Sequence, residues 1–231
     1  MDREPSRKRA ASATVRRTMA RLAGGLLALV LAASAAAEPA WDSRGQIDGI
    51  SIYNRSTPGS SIKEVKSEGS IDSPPAAVWA VLRDIAAYPQ TMPYTRVTTI
   101  LGQEDGGNVI YYYTALDLPI VTDRDYTLKL RVEHVPADGS GVYRLSWTSA
   151  NDYAKAPPPL RHYVRLSEVS GYWELTPEDG GKATHAVYYV HTDPASPLPS
   201  FITNKANTDA VPKVWRAVRE WAKKAPYAQA R

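Results

Sequence analysis

No cysteine occurs among the 231 residues, which excludes disulfides, thiolate metal sites and thiol nucleophiles. Phenylalanine is almost absent as well: one Phe stands against 14 Tyr and six Trp, so nearly every aromatic ring carries a polar tip. Histidine is sparse, and His134, His162, His185 and His191 show none of the paired spacing of a helical zinc site. Neither a Gly-x-Ser-x-Gly elbow nor a phosphate-binding loop is present. No cofactor and no metal is expected. The longest apolar run, Leu22 to Ala33, is too short to span a bilayer comfortably.

That run has a meaning of its own. Arg3, Lys8, Arg9, Arg16, Arg17 and Arg21 precede it, and Ala35-Ala36-Ala37 follow it before Glu38. Basic, then apolar, then small is the order of a secretory signal. Residues 1–37 are expected to be a signal peptide cleaved after Ala37, with an uncleaved anchor as the alternative, and residues 38–231 to form one exported domain, periplasmic or secreted. The leader also explains the charge. It holds seven of the 28 Lys/Arg and two of the 24 Asp/Glu, leaving 21 basic and 22 acidic residues in the remainder. The net charge of +4 therefore implies no nucleic-acid partner.

The rest of the chain reads mainly as strands. Alternation predicts Ile47–Tyr53, Ile62–Ile71, Val97–Leu101, Val109–Ala115, Asp125–Val135, Val142–Thr148, Tyr163–Leu175 and Ala183–Thr192. Asp105-Gly106-Gly107-Asn108 and Glu178-Asp179-Gly180-Gly181 carry hairpin chemistry. Asp72-Ser73-Pro74-Pro75 caps and opens a helix over Ala76–Ala87. Asn151–Leu160, with three consecutive prolines, is a long loop. A closing helix, Pro199–Ala225, lines up Val211, Val214, Trp215, Val218 and Ala222 on one stripe, and Pro212 should kink it. Two strands, a helix, six strands and a long helix make an α+β pattern.

Three local sequences carry a resemblance. Arg124-Asp125-Tyr126 opens a strand, Gly171-Tyr172-Trp173-Glu174-Leu175-Thr176-Pro177 ends one, and Val187 to Asn204 runs from the last strand into the closing helix. In this order they resemble the START family, the steroidogenic-acute-regulatory-related lipid transfer domains, over about residues 41–225. The resemblance implies a helix-grip fold, in which a curved antiparallel sheet wraps a long C-terminal helix. It also implies a hydrophobic tunnel that holds one lipid or sterol-like molecule without catalysis, in a monomer that touches membranes transiently. An aromatase/cyclase-like enzyme on the same fold, using Arg124, His191 or tyrosines as acid and base, is the alternative.

Period-two alternation puts Tyr111 and Tyr113, Tyr126, Leu128 and Leu130, and Tyr143, Leu145 and Trp147 in apolar rows expected to line the concave side. Arg124, Tyr189, His191, Phe201, Val211 and Trp215 complete the candidate ligand contacts. The apolar connection Leu116, Leu118, Pro119, Ile120 is expected either to pack against the start of the closing helix or to act as a gate. Many START members carry an acid and an Arg inside the tunnel. Counting without gaps, those positions hold Tyr111 and Leu130 here, which implies a less charged tunnel. Asp123 and Asp125 flank Arg124, which is expected to keep both ionised.

Overall fold

The computed structural model describes residues 40–230 other than 58–59, 61, 120, 136–140 and 194–199, and only the backbone at 134 and 200–207. The leader therefore lies outside the described residues. The elements run β1 (Asp42–Ile47), β2 (Ile50–Arg55), β3 (Glu64–Ile71), α1 (Pro75–Arg83), α2 (Tyr88–Thr91), β4 (Thr95–Glu104), β5 (Val109–Leu116), β6 (Arg124–His134), β7 (Tyr143–Ser149), β8 (Val164–Arg165), β9 (Glu168–Glu178), β10 (Ala183–Asp193) and α3 (Ser200–Trp221). Nine strands form one curved sheet in the order β1-β2-β3-β10-β9-β7-β6-β5-β4, all neighbours antiparallel, and the two-residue β8 pairs with β6 in parallel. This is the α+β helix-grip architecture.

Turn chemistry sets the register. Asp105-Gly106-Gly107 joins β4 to β5, and Asp179-Gly180-Gly181 joins β9 to β10. The two turns repeat the same left-handed backbone, with φ of 52°, 62° and 91° in the first and 47°, 64° and 86° in the second, a conformation that Asp tolerates and Gly adopts freely. Two expected strands are divided. Ile47–Tyr53 breaks at Asp48-Gly49, where φ is 55° and 72°, and folds back as the β1–β2 hairpin, as an Asp-Gly pair favours. Tyr163–Leu175 divides into β8 and β9.

Two helical layers close one face of the sheet. Val78, Val81 and Leu82 of α1, Val211, Trp215 and Val218 of α3, and Ala222 just after α3 are buried in a single core with Ile50, Val65, Leu145 and Leu175. The Trp215 ring lies 5.3 Å from that of Trp173 on β9, and its indole N–H donates to the Ser67 hydroxyl on β3 at 2.8 Å. The stripe read from sequence is the face that packs. Helix α3 continues through Pro212. The expected cap of α1 is different: Pro74 occupies the N-cap position without a side-chain hydrogen bond, and the Asp72 carboxylate pairs instead with Lys223 at 2.8 Å.

Candidate functional site

Between the sheet and α3 the core gives way to a cavity of about 630 Å³, within the roughly 300–1,000 Å³ typical of small-molecule sites. Each strand contributes alternate residues. From β6 come Arg124, Tyr126, Leu128 and Leu130, and from β7 Leu145 and Trp147, all as expected. From α3 come Val211 and Val214, with Ala210, Asp209 and Lys213 at one end.

On β5 the expected face is reversed. Tyr112, Thr114 and Leu116 line the cavity. Tyr111 is outside, stacked on Tyr153 at 3.9 Å, and Tyr113 is outside, donating its hydroxyl to Asp125 at 2.9 Å. Tyr111 therefore cannot occupy a tunnel-facing acid position. The same slip affects β10, where Tyr188, Val190 and Thr192 face inward. Tyr189 stacks on Tyr172 at 5.2 Å on the outer face, and His191, of the same parity, lies 3.8 Å from the Glu168 carboxylate. A shift of one residue turns a whole strand over. Tyr143 has the expected parity but sits beyond the cavity, against Trp79 at 5.4 Å, and Trp215 is buried behind it in the core. The side chain of Phe201 lies outside the described residues.

The outer face of β5 carries no polar pattern because a distant part of the chain covers it. The loop after β7 covers the outside of the sheet there, so both faces of β5 are buried. Asp125 anchors that loop. Fully buried, it accepts hydrogen bonds from the Leu160 backbone N–H and the Arg165 guanidinium, at 2.9 and 2.7 Å, as well as from Tyr113. Burial pushes its carboxyl up, but the bonds from Arg165, Leu160 and Tyr113 outweigh that and hold it below the usual Asp value. Arg165 does this, not Arg124, which points to the opposite face.

The wall includes groups that the sequence did not single out. Met92, Pro93 and Tyr94 come from the turn after α2, Thr95 from the start of β4, and Leu166, Val169 and Trp173 from around β9. Gly171 explains how the wall is shaped. A Cβ there would collide with the Trp147 ring and the Tyr189 carbonyl, so the glycine lets Trp147 lie flat on β9. Deeper in, the phenols of Tyr88, Tyr112, Tyr126 and Tyr188 lie within mutual electrostatic range. Burial pushes all four up, Tyr126 to about 12 and the others further, so they are neutral hydrogen-bonding groups at ordinary pH. Leu116 at the end of β5 and Leu118, Pro119 and Val121 of the β5–β6 connection border the cavity, and Ile120 lies outside the described residues. Among the described residues, no three His, Asp or Glu side chains converge as a metal site.

The comparisons with known proteins agree with this geometry. An uncharacterized protein of Pseudomonas aeruginosa, PA1579, is 27% identical over 189 residues, covering 80% of this chain and 87% of that protein. The crystal structure of a STAR-related lipid transfer protein from Xanthomonas axonopodis superposes with a TM-score of 0.69 at 24% identity, covering 80% of this chain and 99% of that one. Human STARD10 superposes with a TM-score of 0.68 at 19% identity, over 80% of this chain and 74% of that one. At these identities the two structures establish a shared START fold. The family model described as polyketide cyclase / dehydrase and lipid transport matches residues 71–219, from the end of β3 to the last turns of α3, and the chain belongs to that family.

Proposed function

We propose that this protein binds a single hydrophobic molecule in the cavity between its sheet and α3, and carries it without changing it. The observation behind this reading is the cavity itself: about 630 Å³ walled by leucines, valines and aromatic rings where a domain otherwise packs its core. Burying a saturated sixteen-carbon tail gains on the order of 12 kcal/mol, at about 0.8 per methylene. A bilayer offers a similar gain, so exchange between the two is near neutral, and the protein changes the rate of crossing water. The mouth residues Leu116, Leu118 and Pro119 supply the apolar contact with a membrane. The leader motivates an exported carrier, and N-terminal sequencing of the mature protein tests its removal after Ala37.

The catalytic alternative is less favoured by the geometry. His191 lies on the outer face, so acid–base work would fall to Arg124, a guanidinium that stays charged, and to the tyrosines, which burial keeps protonated and therefore poor bases at neutral pH. Native mass spectrometry with organic extraction tests the carrier reading, together with transfer of a fluorescent lipid between vesicles. A co-purifying lipid and accelerated transfer are expected; an empty protein that accelerates nothing would end the proposal. Val190→Trp, which projects into the cavity, should cut both.

A further inference from the structure

The wall of the cavity is apolar or neutral along most of its length, and Arg124 breaks that rule. Its side chain lines the cavity at the start of β6, opposite Leu116 and below the β5–β6 connection. Only 3% of its surface is exposed. Among the described residues its hydrogen-bond acceptor is the Thr122 carbonyl, and no carboxylate lies within ion-pairing distance. Asp123 is the carboxylate whose field reaches it, and that carboxylate accepts the Leu118 backbone N–H at 2.9 Å. Asp125 faces the other side of the sheet with Arg165. The remaining charges at the cavity, Asp209 and Lys213, are on α3 at the rim.

A guanidinium has five N–H donors in a planar fork and stays charged in proteins. Burying one without an anionic partner is costly, and burial here pulls the basicity of Arg124 down. The fork suits a carboxylate or a phosphate, which it binds through paired, charge-assisted hydrogen bonds. The cavity face of β6 runs from Arg124 to Leu130, six residues or roughly 20 Å at about 3.3 Å each, and turns apolar after Tyr126.

We infer that the guest is an anionic amphiphile, with its acid group held by Arg124 near the mouth and its apolar chain running along β6 toward Leu130. This rests on the carrier reading above and specifies its ligand class. Carboxylate and phosphate head groups share the chemistry, so the test includes both. Displacement of Nile red, a neutral dye, from the full-length protein is measured with dodecanoate, dodecyl phosphate and dodecanol. Both acids are expected to bind at least about tenfold more tightly than the alcohol, as charge-assisted hydrogen bonds imply; whichever acid is preferred identifies the head group. In Arg124→Gln the acid-to-alcohol ratio should fall close to one, and Arg124→Lys should restore part of it.

Equal binding of acids and alcohol by the unsubstituted protein overturns the inference and leaves the carrier reading intact. So does an acid preference that survives Arg124→Gln, which would move the anion to Lys213. If Nile red is neither bound nor displaced by any of the three, both readings fall. Should Arg124→Gln not fold, as circular dichroism would show, the comparison of acid with alcohol on the unsubstituted protein still decides.

Discussion

Lys213 on α3 donates a hydrogen bond to the Tyr94 hydroxyl, which places its ammonium 4.8 Å from the centre of the ring, beyond the phenol oxygen. Tyr94 belongs to the turn after α2, with a left-handed φ of 61° that is uncommon for a bulky residue. Both residues border the cavity, so the contact clasps the closing helix to the facing wall at the mouth. Lys213→Ala is expected to speed release of a bound neutral dye by about two- to fivefold, the range of an exposed charged contact. Arg216→Ala removes a neighbouring pair with Asp48 away from the mouth and should leave the rate unchanged. Stopped-flow dilution measures both, and equal rates for Lys213→Ala and the parent would remove the clasp.

Gly171 makes a second prediction. Adding one methyl group there forces Trp147 off β9 and into the cavity, because the Tyr189 carbonyl cannot move without breaking the β9–β10 ladder. Gly171→Ala should destabilise the fold by about 1–3 kcal/mol, as overpacking does, and reduce the amount of dye bound. Urea unfolding and a saturation titration check the two effects, and a variant with unchanged capacity would show that the ring finds another place.

Asp125 makes stability depend on acid. Its folded pKa is depressed, so its stabilising contribution is present above the ordinary Asp value of about 3.9 and is lost as pH falls through the lower folded value. Asp125→Asn leaves Arg165 without its carboxylate and should cost about 3–5 kcal/mol near neutral pH, while flattening the loss of stability below about pH 4. Chemical unfolding at pH 7 and at pH 3 measures this. Parallel acid profiles for parent and variant would contradict it.

Trp215 ties the closing helix to the sheet. Trp215→Phe keeps most of the apolar volume but leaves the Ser67 hydroxyl without its indole donor, at a cost of about 1–3 kcal/mol. Trp215→Ala also opens a void beside Trp173 and should cost about 3–5 kcal/mol. Thermal unfolding ranks the two, and an equal loss would mean that the hydrogen bond dominates.

How far the sequence could be read depended on where polar residues mark a face. On β6, Tyr126-Thr127-Leu128-Lys129-Leu130 alternates cleanly, and the inward set was legible. Tyr111-Tyr112-Tyr113 and Tyr188-Tyr189 have the same residue type on both faces, so period two gave no answer. The signal that would have decided β5 is long-range: Asp125 collects a loop from 35 residues away and makes the outer face as buried as the inner. The closing helix was legible because one stripe meets one sheet. The Asp48-Gly49 hairpin was legible in principle, since its turn pair is strongly specified, but the flanking isoleucines read as one continuous strand. Asp72 is not the cap because α1 begins at Pro75 with Pro74 in the N-cap position, and its exposed carboxylate pairs with a lysine 151 residues distant.

The hollow centre also bears on how this protein will behave in the laboratory. A guest at one hundred times its dissociation constant adds about 2.7 kcal/mol to the folded state. For a domain of this length that raises the melting temperature by roughly 5–10 °C. Batches grown on different media, or washed with different detergents, will then melt apart although their polypeptide is identical. Heat tolerance becomes a property of what the cell loaded, and a melting curve doubles as an inventory of the cargo.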